Sequence, residues 1–438
     1  MRKFFAQLRT SLILAPIFLA ATALASAQQT PANPSSAPIV LHAARLLQID
    51  AGALLQPGEI LVEGERIKSV GKSVDHPQGA KVIDLGDATL LPGLIDAHVH
   101  LFLHPGAEDL QTVEESVPWR ILLAEQAAKA DLLAGFTAER DMGTEGAGSA
   151  STAIRDAINQ GLILGPRLRV CANAIDILGG HEDANNFNPA QHVLSNADYA
   201  NSAEQIVEVM REQHKEGADF AKIYETGPDR MIDGVLHTPY QYTEAQLAAA
   251  GEESHRLGTG VGIGVHAMGE PGTLYAAQAG VASIDHATQL SSETMRLMRE
   301  KHIPAVPTLT IFDYFAHHRE SQDQAAAESL MLDYKIAEFK KQIAAGIPFA
   351  VGSDVGPFPH GTQAHELILM VRYGMKPLAA LQADMIEGAR LLGWAGQIGE
   401  LKPGYYADIV AVPGNPLDDI SVTEHVSFVM KNGAVVRQ

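Results

Sequence analysis

The stretch Leu-Leu-Pro-Gly-Leu-Ile-Asp-Ala-His-Val-His, at residues 90–100, gives the first strong indication of the fold. Pro92 and Gly93 mark its start, and the apolar residues that follow suit a buried β-strand. Side chains two positions apart point to the same face of a strand, so His98 and His100 can converge on one metal ion. In a helix the same pair would lie about 200° apart and could not chelate an ion together. The stretch therefore predicts a strand that ends in a pair of histidine ligands.

Short apolar strands alternate with helical stretches through the middle of the chain. Eight strands are predicted, at 94–100, 136–142, 167–174, 219–225, 260–267, 282–287, 305–309 and 347–353. Helices between them are predicted at 118–134, 203–216, 244–257, 291–301 and 325–345. This βα order predicts an α/β fold, a closed (β/α)8 TIM barrel over 91–396 with its active site at the C-terminal ends of the strands. An open doubly wound sheet is the alternative, but no Gly-x-Gly-x-x-Gly turn follows the first strand to support a dinucleotide site.

The two ends of the chain carry further strand patterns. Strands are predicted at 39–47, 59–63, 66–70 and 81–84 before the barrel, and at 407–412, 427–431 and 434–437 after it. Asn432-Gly433 is a strong hairpin turn between the last two. The first set is too short to close a good core alone. We therefore expect a small discontinuous β-sandwich domain built from 39–90 and 397–438.

The first 27 residues have the pattern of a cleavable signal peptide. Three basic residues precede an apolar run at 12–24, and Ala25-Ser26-Ala27 is a small-residue cleavage site. Cleavage near Ala27 would release a periplasmic or secreted protein, in which 28–38 is a disordered leader rich in Pro, Ser and Ala. An uncleaved anchor is the alternative, but the apolar run is short and Pro16 interrupts it.

The composition restricts both the partners and the metal ligands. The formal charge of −20 argues against nucleic acid or an anionic membrane surface as a partner. The single cysteine, Cys171, excludes an intrachain disulfide and argues against a cysteine zinc site. Any metal must therefore be held by His, Asp, Glu or a modified Lys.

Polar residues stand near the predicted strand ends in an order that suits such a metal centre. His98 and His100 end the first strand, Lys222 lies in the fourth, His266 and His286 end the fifth and sixth, and Asp354 follows the eighth. The C-terminal ends of barrel strands meet at one face, so these side chains are expected to lie close together. For each residue alone, the alternative is a structural role, such as a hydrogen-bonded core histidine or a helix N-cap.

Lys222 separates the possible chemistries. A lysine that points into a barrel is costly to keep charged, and burial lowers its pKa. The resulting neutral amine can react with carbon dioxide to give a carbamate, which is an oxygen ligand able to bridge two cations. The alternative is a lysine paired with a nearby carboxylate.

This order of residues resembles the metal-dependent amidohydrolase superfamily, specifically its binuclear members. Two longer motifs carry the same resemblance, Leu-Pro-Gly-Leu-Ile-Asp-Ala-His-Val-His at 91–100 and Gly-Glu-Leu-Lys-Pro-Gly-Tyr-Tyr-Ala-Asp-Ile-Val-Ala-Val at 399–412, which is followed by Asn415-Pro416-Leu417. The resemblance covers nearly the whole chain after the leader. Within the superfamily the chain is most similar to the prolidase-like group of Xaa-Pro dipeptidases, carboxypeptidases and ochratoxin-hydrolysing amidases.

The resemblance implies a role for each of these residues. His98, His100 and Asp354 hold one Zn²⁺, His266 and His286 hold a second, and N6-carboxylated Lys222 and a hydroxide bridge the two ions. Such a pair lowers the pKa of the shared hydroxide, and one ion polarises the scissile carbonyl. Asp354 can take the proton of the hydroxide and return it to the leaving amine. Histidine and carboxylate ligands suit zinc, and manganese, cobalt or iron remain open.

Four further residues are candidates for substrate binding. His181, in the loop after the third strand, resembles a substrate-contacting histidine of the dipeptidase group, where it could polarise the carbonyl or stabilise the oxyanion. Tyr224 shares the inward face of its strand with Lys222. Arg230 and His237 lie in the following loop and could bind a substrate α-carboxylate. The alternatives are a structural loop role for His181 and a solvated surface charge for Arg230.

The sequence thus predicts an exported binuclear zinc amidohydrolase that releases the C-terminal amino acid of a dipeptide or of an N-acyl amino acid, including ochratoxin-type amides. The enzyme alternative is a cyclic-amide hydrolase or deaminase of the imidazolonepropionase type, but its mononuclear relatives lack the strand-four lysine. A non-catalytic binding protein on the same fold is a remote alternative, because no ligand is missing. The expected partner is a small amide or dipeptide, with no nucleic acid and no membrane after signal cleavage. The resemblance also implies a homo-oligomer such as an octamer.

Overall fold

The structure is a computed structural model that describes residues 37–183, 187–188, 190–318 and 322–438. The predicted signal peptide and residues 28–36 of the predicted leader lie outside the described residues. No helix within the described ranges combines the length and the apolar character that a membrane span requires.

Strands occupy both ends of the described chain and alternate with helices between them. The first are β1 (Ile39–Ala43), β2 (Arg45–Gln48), β3 (Ala53–Leu55), β4 (Gly58–Glu63), β5 (Arg66–Gly71), β6 (Lys81–Asp84) and β7 (Ala88–Pro92). The middle strands are β8 (Leu94–Val99), β9 (Phe136–Asp141), β10 (Arg167–Val170), β11 (Ala174–Asp176), β12 (Ala197–Tyr199), β13 (Ala221–Tyr224), β14 (Arg230–Ile232), β15 (Val235–His237), β16 (Ile263–Ala267), β17 (Ser283–His286) and β18 (Ala305–Val306). The last are β19 (Ile409–Pro413), β20 (Phe428–Lys431) and β21 (Ala434–Arg437).

The helices include all five that the sequence predicts. They are α1 (Glu108–Glu114), α2 (Val117–Ala134), α3 (Ala150–Asn159), α4 (Ala203–Lys215), α5 (Glu244–Leu257), α6 (Gly272–Ala279), α7 (Ser292–Lys301), α8 (Leu309–His318), α9 (Gln322–Ala345), α10 (His365–Arg372), α11 (Pro377–Gln382) and α12 (Gly388–Leu391). A π-helical turn (Ala383–Glu387) joins α11 to α12, and a 3₁₀ helix (Ile420–His425) precedes β20. Local chemistry sets the helix ends: α5 begins with a capping box between Thr243 and Gln246 and ends at Gly258, where φ is +70°.

Strands from the two ends of the chain pair with each other. One sheet has the order β5-β4-β1-β6, and the other has the order β21-β20-β19-β7-β2-β3. Antiparallel pairing of β19 with β7 joins the two ends, and one apolar cluster contains residues of both sheets, such as Leu41 and Phe428. The predicted pairing of the two ends is therefore confirmed. The division of the chain into a sandwich domain over 39–90 and 397–438 and a barrel domain over 91–396 stays a prediction.

The middle strands other than the antiparallel pair β14 and β15 form parallel sheets, and helices connect these strands as predicted. The orders are β10-β9-β8 and β12-β11-β13-β16-β17-β18. All six residues of β8 are buried, as expected for a parallel strand that is covered on both faces. The predicted third strand, 167–174, is instead divided into β10 and β11, because Ala172 lies between them with φ at +68°.

The predicted eighth strand, 347–353, does not form a regular strand. The segment still lies between its expected neighbours, since the Ala97 N–H donates to the Val351 carbonyl and the Ala350 N–H donates to the Ala305 carbonyl. These contacts are single hydrogen bonds and isolated bridges instead of a continuous ladder. Within the described residues the barrel is therefore not closed by one unbroken sheet, and the prediction of eight regular strands is wrong at the third and the eighth.

Candidate active site

The end of β8 and the segment after Val351 bring three of the predicted ligands together. The Nε2 atoms of His98 and His100 lie 3.2 Å apart. The Oδ1 atom of Asp354 lies 3.4 Å from Nε2 of His98 and 3.3 Å from Nε2 of His100. Both imidazoles are buried, and Asp354 is partly buried. Three donor atoms thus converge on one small volume.

The other nitrogen of each imidazole faces a buried carboxylate. Nδ1 of His98 lies 3.6 Å from Oδ2 of Asp285, and Nδ1 of His100 lies 3.0 Å from Oε1 of Glu145. Arg140 holds Asp285 in turn, with an N–O distance of 3.1 Å. A carboxylate on the far nitrogen fixes the orientation of a ligating ring and increases the basicity of the nearer nitrogen. The arrangement therefore presents the Nε2 atoms to a common point.

His266 and His286 form a second pair at the ends of β16 and β17. Their ring centroids are 4.4 Å apart, and the His286 ring lies 5.2 Å from that of His98. Oδ2 of Asp229 lies 2.9 Å from Nε2 of His266, and Oγ1 of Thr308 lies 2.8 Å from Nδ1 of His286. These contacts engage one nitrogen of each ring. Nδ1 of His266 and Nε2 of His286 are left to act as donors to a metal.

Lys222 lies on β13 with its side chain fully buried. In the part of the chain that the structure describes, its Nζ atom has no hydrogen-bond partner, and it lies 4.8 Å from the centre of the Tyr224 ring. The alternative of a lysine paired with a carboxylate therefore has no support among the described residues. A buried polar group without a partner is costly. Carboxylation of the amine would turn this position into an oxygen donor.

The backbone at this site adopts conformations that side-chain-bearing residues rarely take. The φ angle is +65° at His286, +64° at Asp354, +49° at Thr308 and +47° at Glu145. Each such residue costs on the order of 1–3 kcal/mol and persists only where surrounding structure holds it. Strain of this kind clusters at active sites. Its presence at two predicted ligands and at two of their partners supports a functional role for the site.

Burial controls the protonation of the imidazoles. It lowers the pKa of His98, His266 and His286 well below the usual value, so these rings are neutral at pH 7 and offer a lone pair. Burial acts in the same direction on His100, but the adjacent carboxylates of Asp354 and Glu145 raise its pKa well above the usual value. Burial alone would raise the pKa of Asp354, but its hydrogen bond to His100 lowers it.

A cavity of about 310 Å³ opens onto both histidine pairs and Asp354. His181 and Tyr224 also line it. Their rings are stacked, with centroids 4.9 Å apart, and the His181 ring lies 4.3 Å from that of His266. Gly227 allows the His181 ring to occupy this position, because a Cβ on residue 227 would collide with the ring. The structure therefore places two predicted substrate residues beside the second histidine pair.

Arg230 and His237 are not brought to this cavity. The two residues face each other in the register of the β14–β15 hairpin, and both are exposed. Neither lines the cavity. The sequence prediction treated this segment as a loop, whereas the hairpin holds both side chains at the surface. Their predicted role in binding a substrate carboxylate has no support in this geometry.

Several residues of the site were missed by the sequence analysis, among them Asp229, Glu145 and Thr308. Each follows a strand within a few residues, at the end where a barrel gathers its functional groups. The criterion that selected the histidines could therefore have found them. His181, Asp229 and His266 also offer donor atoms within 4.8 Å of one another. The 2.9 Å contact between Asp229 and His266 is a hydrogen bond, however, which fits an orienting role better than a separate metal site.

The residues present fit a pair of divalent metal ions. His98, His100 and Asp354 provide one donor set, and His266 with His286 provides the other. The buried Lys222 amine, which lacks a partner among the described residues, fits an additional ligand once it is carboxylated. Neutral imidazoles and carboxylates suit zinc and its neighbours in the first transition series.

Comparison with known proteins agrees with this site. The sequence model of the Amidohydrolase family matches residues 89–436. The ochratoxinase of Aspergillus niger is 28% identical over 439 residues, which cover 93% of this chain and 88% of that protein. Two solved structures cover 92% of this chain and 100% of their own: a Xaa-Pro dipeptidase with methionine bound in its active site, at 29% identity and a TM-score of 0.83, and a prolidase in complex with N-methylphosphonate-L-proline, at 26% identity and a TM-score of 0.81.

The matched region includes all of the predicted ligands, and neighbours of this fold have a TIM barrel with an additional domain. The extent of the family match and the similarity of the whole fold point to the same chemistry. The chain belongs to the amidohydrolase family and is a hydrolase that acts on amide carbon–nitrogen bonds.

Proposed function

We propose that this chain is a binuclear zinc amidohydrolase that releases the C-terminal amino acid of a dipeptide or of an N-acyl amino acid. The observation that carries the proposal is the position of Lys222, which is fully buried and whose Nζ lacks a hydrogen-bond partner among the described residues. A mononuclear site would not use this amine as a bridging ligand. The two histidine pairs and Asp354 supply the remaining donors of a two-ion site.

In this proposal, bound divalent ions supply Lewis-acid polarisation of the scissile carbonyl and lower the pKa of the attacking water. Asp354 accepts the proton of that water and later returns it to the leaving amine, because its carboxylate lies beside the ligand nitrogens and is kept ionised by His100. His181 stands at the cavity wall, where burial lowers its pKa. As a neutral imidazole it can donate a hydrogen bond to the oxyanion that forms during attack.

The similarity to a Xaa-Pro dipeptidase, a prolidase and an ochratoxinase supports peptide and N-acyl amino acid substrates. A hydrolysis screen tests the proposal directly. Dipeptides and N-acyl amino acids that differ at the C-terminal residue are incubated with the enzyme, with and without a metal chelator. We expect cleavage that the chelator abolishes. Cleavage of lactones or cyclic ureas, with every dipeptide and N-acyl amino acid untouched, would show that the chain is a cyclic-amide hydrolase.

Two further properties are part of the proposal. We expect export through the signal peptide 1–27, so that N-terminal sequencing of the protein made in its host gives Gln28 as the first residue. A mature protein that begins at Met1 would contradict this. We also expect a homo-oligomer such as an octamer, which light scattering of the purified protein can measure.

A further inference from the structure

Three glutamate side chains meet at one wall of the candidate active site. Glu108 lies at the start of α1, Glu145 follows β9, and Glu182 follows β11. Each offers a carboxylate oxygen, and the three oxygens lie within 4.8 Å of one another. Glu108 and Glu182 line the cavity that contains the predicted metal ligands, whereas Glu145 is fully buried behind it. These three residues are named the glutamate cluster below.

The cluster brings three carboxyl groups together where water is scarce. Burial, followed by the charges of Glu145 and Glu108, raises the pKa of Glu182 well above its usual value. Oε1 of Glu145 lies 3.0 Å from Nδ1 of His100, and neither carboxylate oxygen of Glu145 has a hydrogen-bond partner within the described ranges. The nearby guanidinium of Arg120 donates its hydrogen bonds to backbone carbonyls, including that of Glu145. The buried Oε2 atom is therefore an acceptor that still lacks a donor.

The remaining walls of the cavity are of a different character. One is apolar and is formed by Ile311, Phe312, Phe315 and Met331. Among the described residues that line the cavity there is no lysine and no arginine. A ligand that matches this surface places a positive charge at the glutamate cluster and an apolar group against the apolar side chains.

The position of the cluster indicates which cationic group of a substrate it can bind. Glu145 touches His100, so the cluster adjoins the predicted ligands that surround the reacting carbonyl. In a dipeptide, the α-ammonium nitrogen is separated from the scissile carbonyl carbon by the α-carbon alone. A lysine or arginine side chain carries its charge several bonds farther away. The α-ammonium is also a compact group with three N–H donors, which suits several carboxylate acceptors.

We propose that the glutamate cluster binds the α-ammonium group of a dipeptide, so that this enzyme prefers dipeptides to N-acyl amino acids. The inference rests on the proposed function and narrows its substrate class. An acyl group in place of the amino-terminal residue would leave buried carboxylates without their cationic partner. Sites built around a polar substrate group reject analogues that lack it much more strongly than apolar pockets reject a missing methylene.

The test compares two substrates that differ only in the amine, alanyl-leucine and propionyl-leucine, with the metal-loaded full chain. We expect kcat/KM to be at least about 100-fold higher for alanyl-leucine. The ratio is expected to fall as the pH rises above about 8, where a free α-amine loses its proton. Glu182→Gln and Glu108→Gln are expected to lower the ratio to about 10 or less, because each removes a carboxylate from the cavity wall. Glu115→Gln, a neighbouring carboxylate that is bonded to His104 and does not line the cavity, is the matched control and should keep the ratio.

Other results of these experiments would separate a failure of the inference from a failure of the proposed function. If propionyl-leucine is cleaved as well as alanyl-leucine, the inference is wrong and the proposed function stands. If no dipeptide or N-acyl amino acid in the wider screen is cleaved, the proposed function itself fails. A third metal equivalent that is present in the wild type and lost in Glu182→Gln would show that the cluster is a metal site, which also overturns the inference. The wild-type comparison decides the question even if a variant does not fold.

Discussion

Replacement of Lys222 by methionine is expected to stabilise the metal-free protein and to destroy the proposed two-ion site. Methionine keeps an unbranched side chain and removes the amine. Because Nζ is fully buried and lacks a hydrogen-bond partner among the described residues, it costs about 1–3 kcal/mol as an unpaired polar group. The free energy of unfolding of metal-free Lys222→Met should therefore rise by about that amount.

The same substitution removes the proposed bridging ligand. Loss of a residue that merely orients a ligand weakens metal binding by roughly 10–100-fold, and loss of a ligand should exceed this. We expect the metal content after dialysis to fall below two ions per chain and amide hydrolysis to disappear. Chemical denaturation with chelator, elemental analysis and a peptidase assay measure the three effects.

Lys335→Met provides the control for the stability measurement. Lys335 is also buried, but its Nζ donates to the His286 carbonyl at 2.6 Å and to Thr288 Oγ1 at 3.1 Å. Its replacement should lower the free energy of unfolding, since it leaves buried acceptors unpaired.

Formate or acetate should restore part of the metal binding of Lys222→Ala by filling the vacated space with a carboxylate. Two bound metals and full activity in Lys222→Met would refute the reasoning.

Three other predictions concern the rest of the chain. Asp229→Asn should weaken metal binding by roughly 10–100-fold without unfolding the protein, because it removes the charge that orients His266. An unchanged metal affinity in a competition titration with a chromophoric chelator would contradict this. Phe428→Ala should lower the free energy of unfolding by about 3–5 kcal/mol, since Phe428 is fully buried in the apolar cluster that contains residues of both terminal sheets. A loss under about 1 kcal/mol in denaturant melts would argue against that core. Burial lowers the pKa of Lys431 to about 8, so between pH 8 and 10.5 the unfolded chain binds more protons than the folded chain. The free energy of unfolding should therefore rise with pH in this range, and Lys431→Met should lack this rise. An equal slope of unfolding free energy against pH in both proteins would show that Lys431 does not cause it.

Much of the fold could be predicted because its signals are local. Buried parallel strands appear as short apolar runs, so the sequence predicts a strand over 94–100, and β8 covers all of it except His100. The segment 347–353 is also largely apolar, but it is held by single hydrogen bonds to its neighbours instead of by a ladder. Composition cannot distinguish these two cases, since both place apolar residues between the same layers.

The site was predictable to the extent that it depends on strand ends. His98, His100, His266 and His286 could be selected because all barrel strands point their C-terminal ends to one face. Glu145 follows β9 and could have been selected in the same way, but Glu108 begins a helix and Glu182 lies in a loop. Only the folded chain brings these two residues to Glu145. Arg230 was expected in a loop, whereas the structure places it on the exposed β14–β15 hairpin, and its role in substrate binding stays a prediction.

The central claim is that two metal ions act together at this site. Metal-free enzyme can be titrated with Zn²⁺ while bound metal and dipeptide hydrolysis are followed in the same sample. We expect two bound ions per chain and full activity only when the second ion is bound. Full activity with one tightly bound ion per chain, and no further gain from a second, would contradict it.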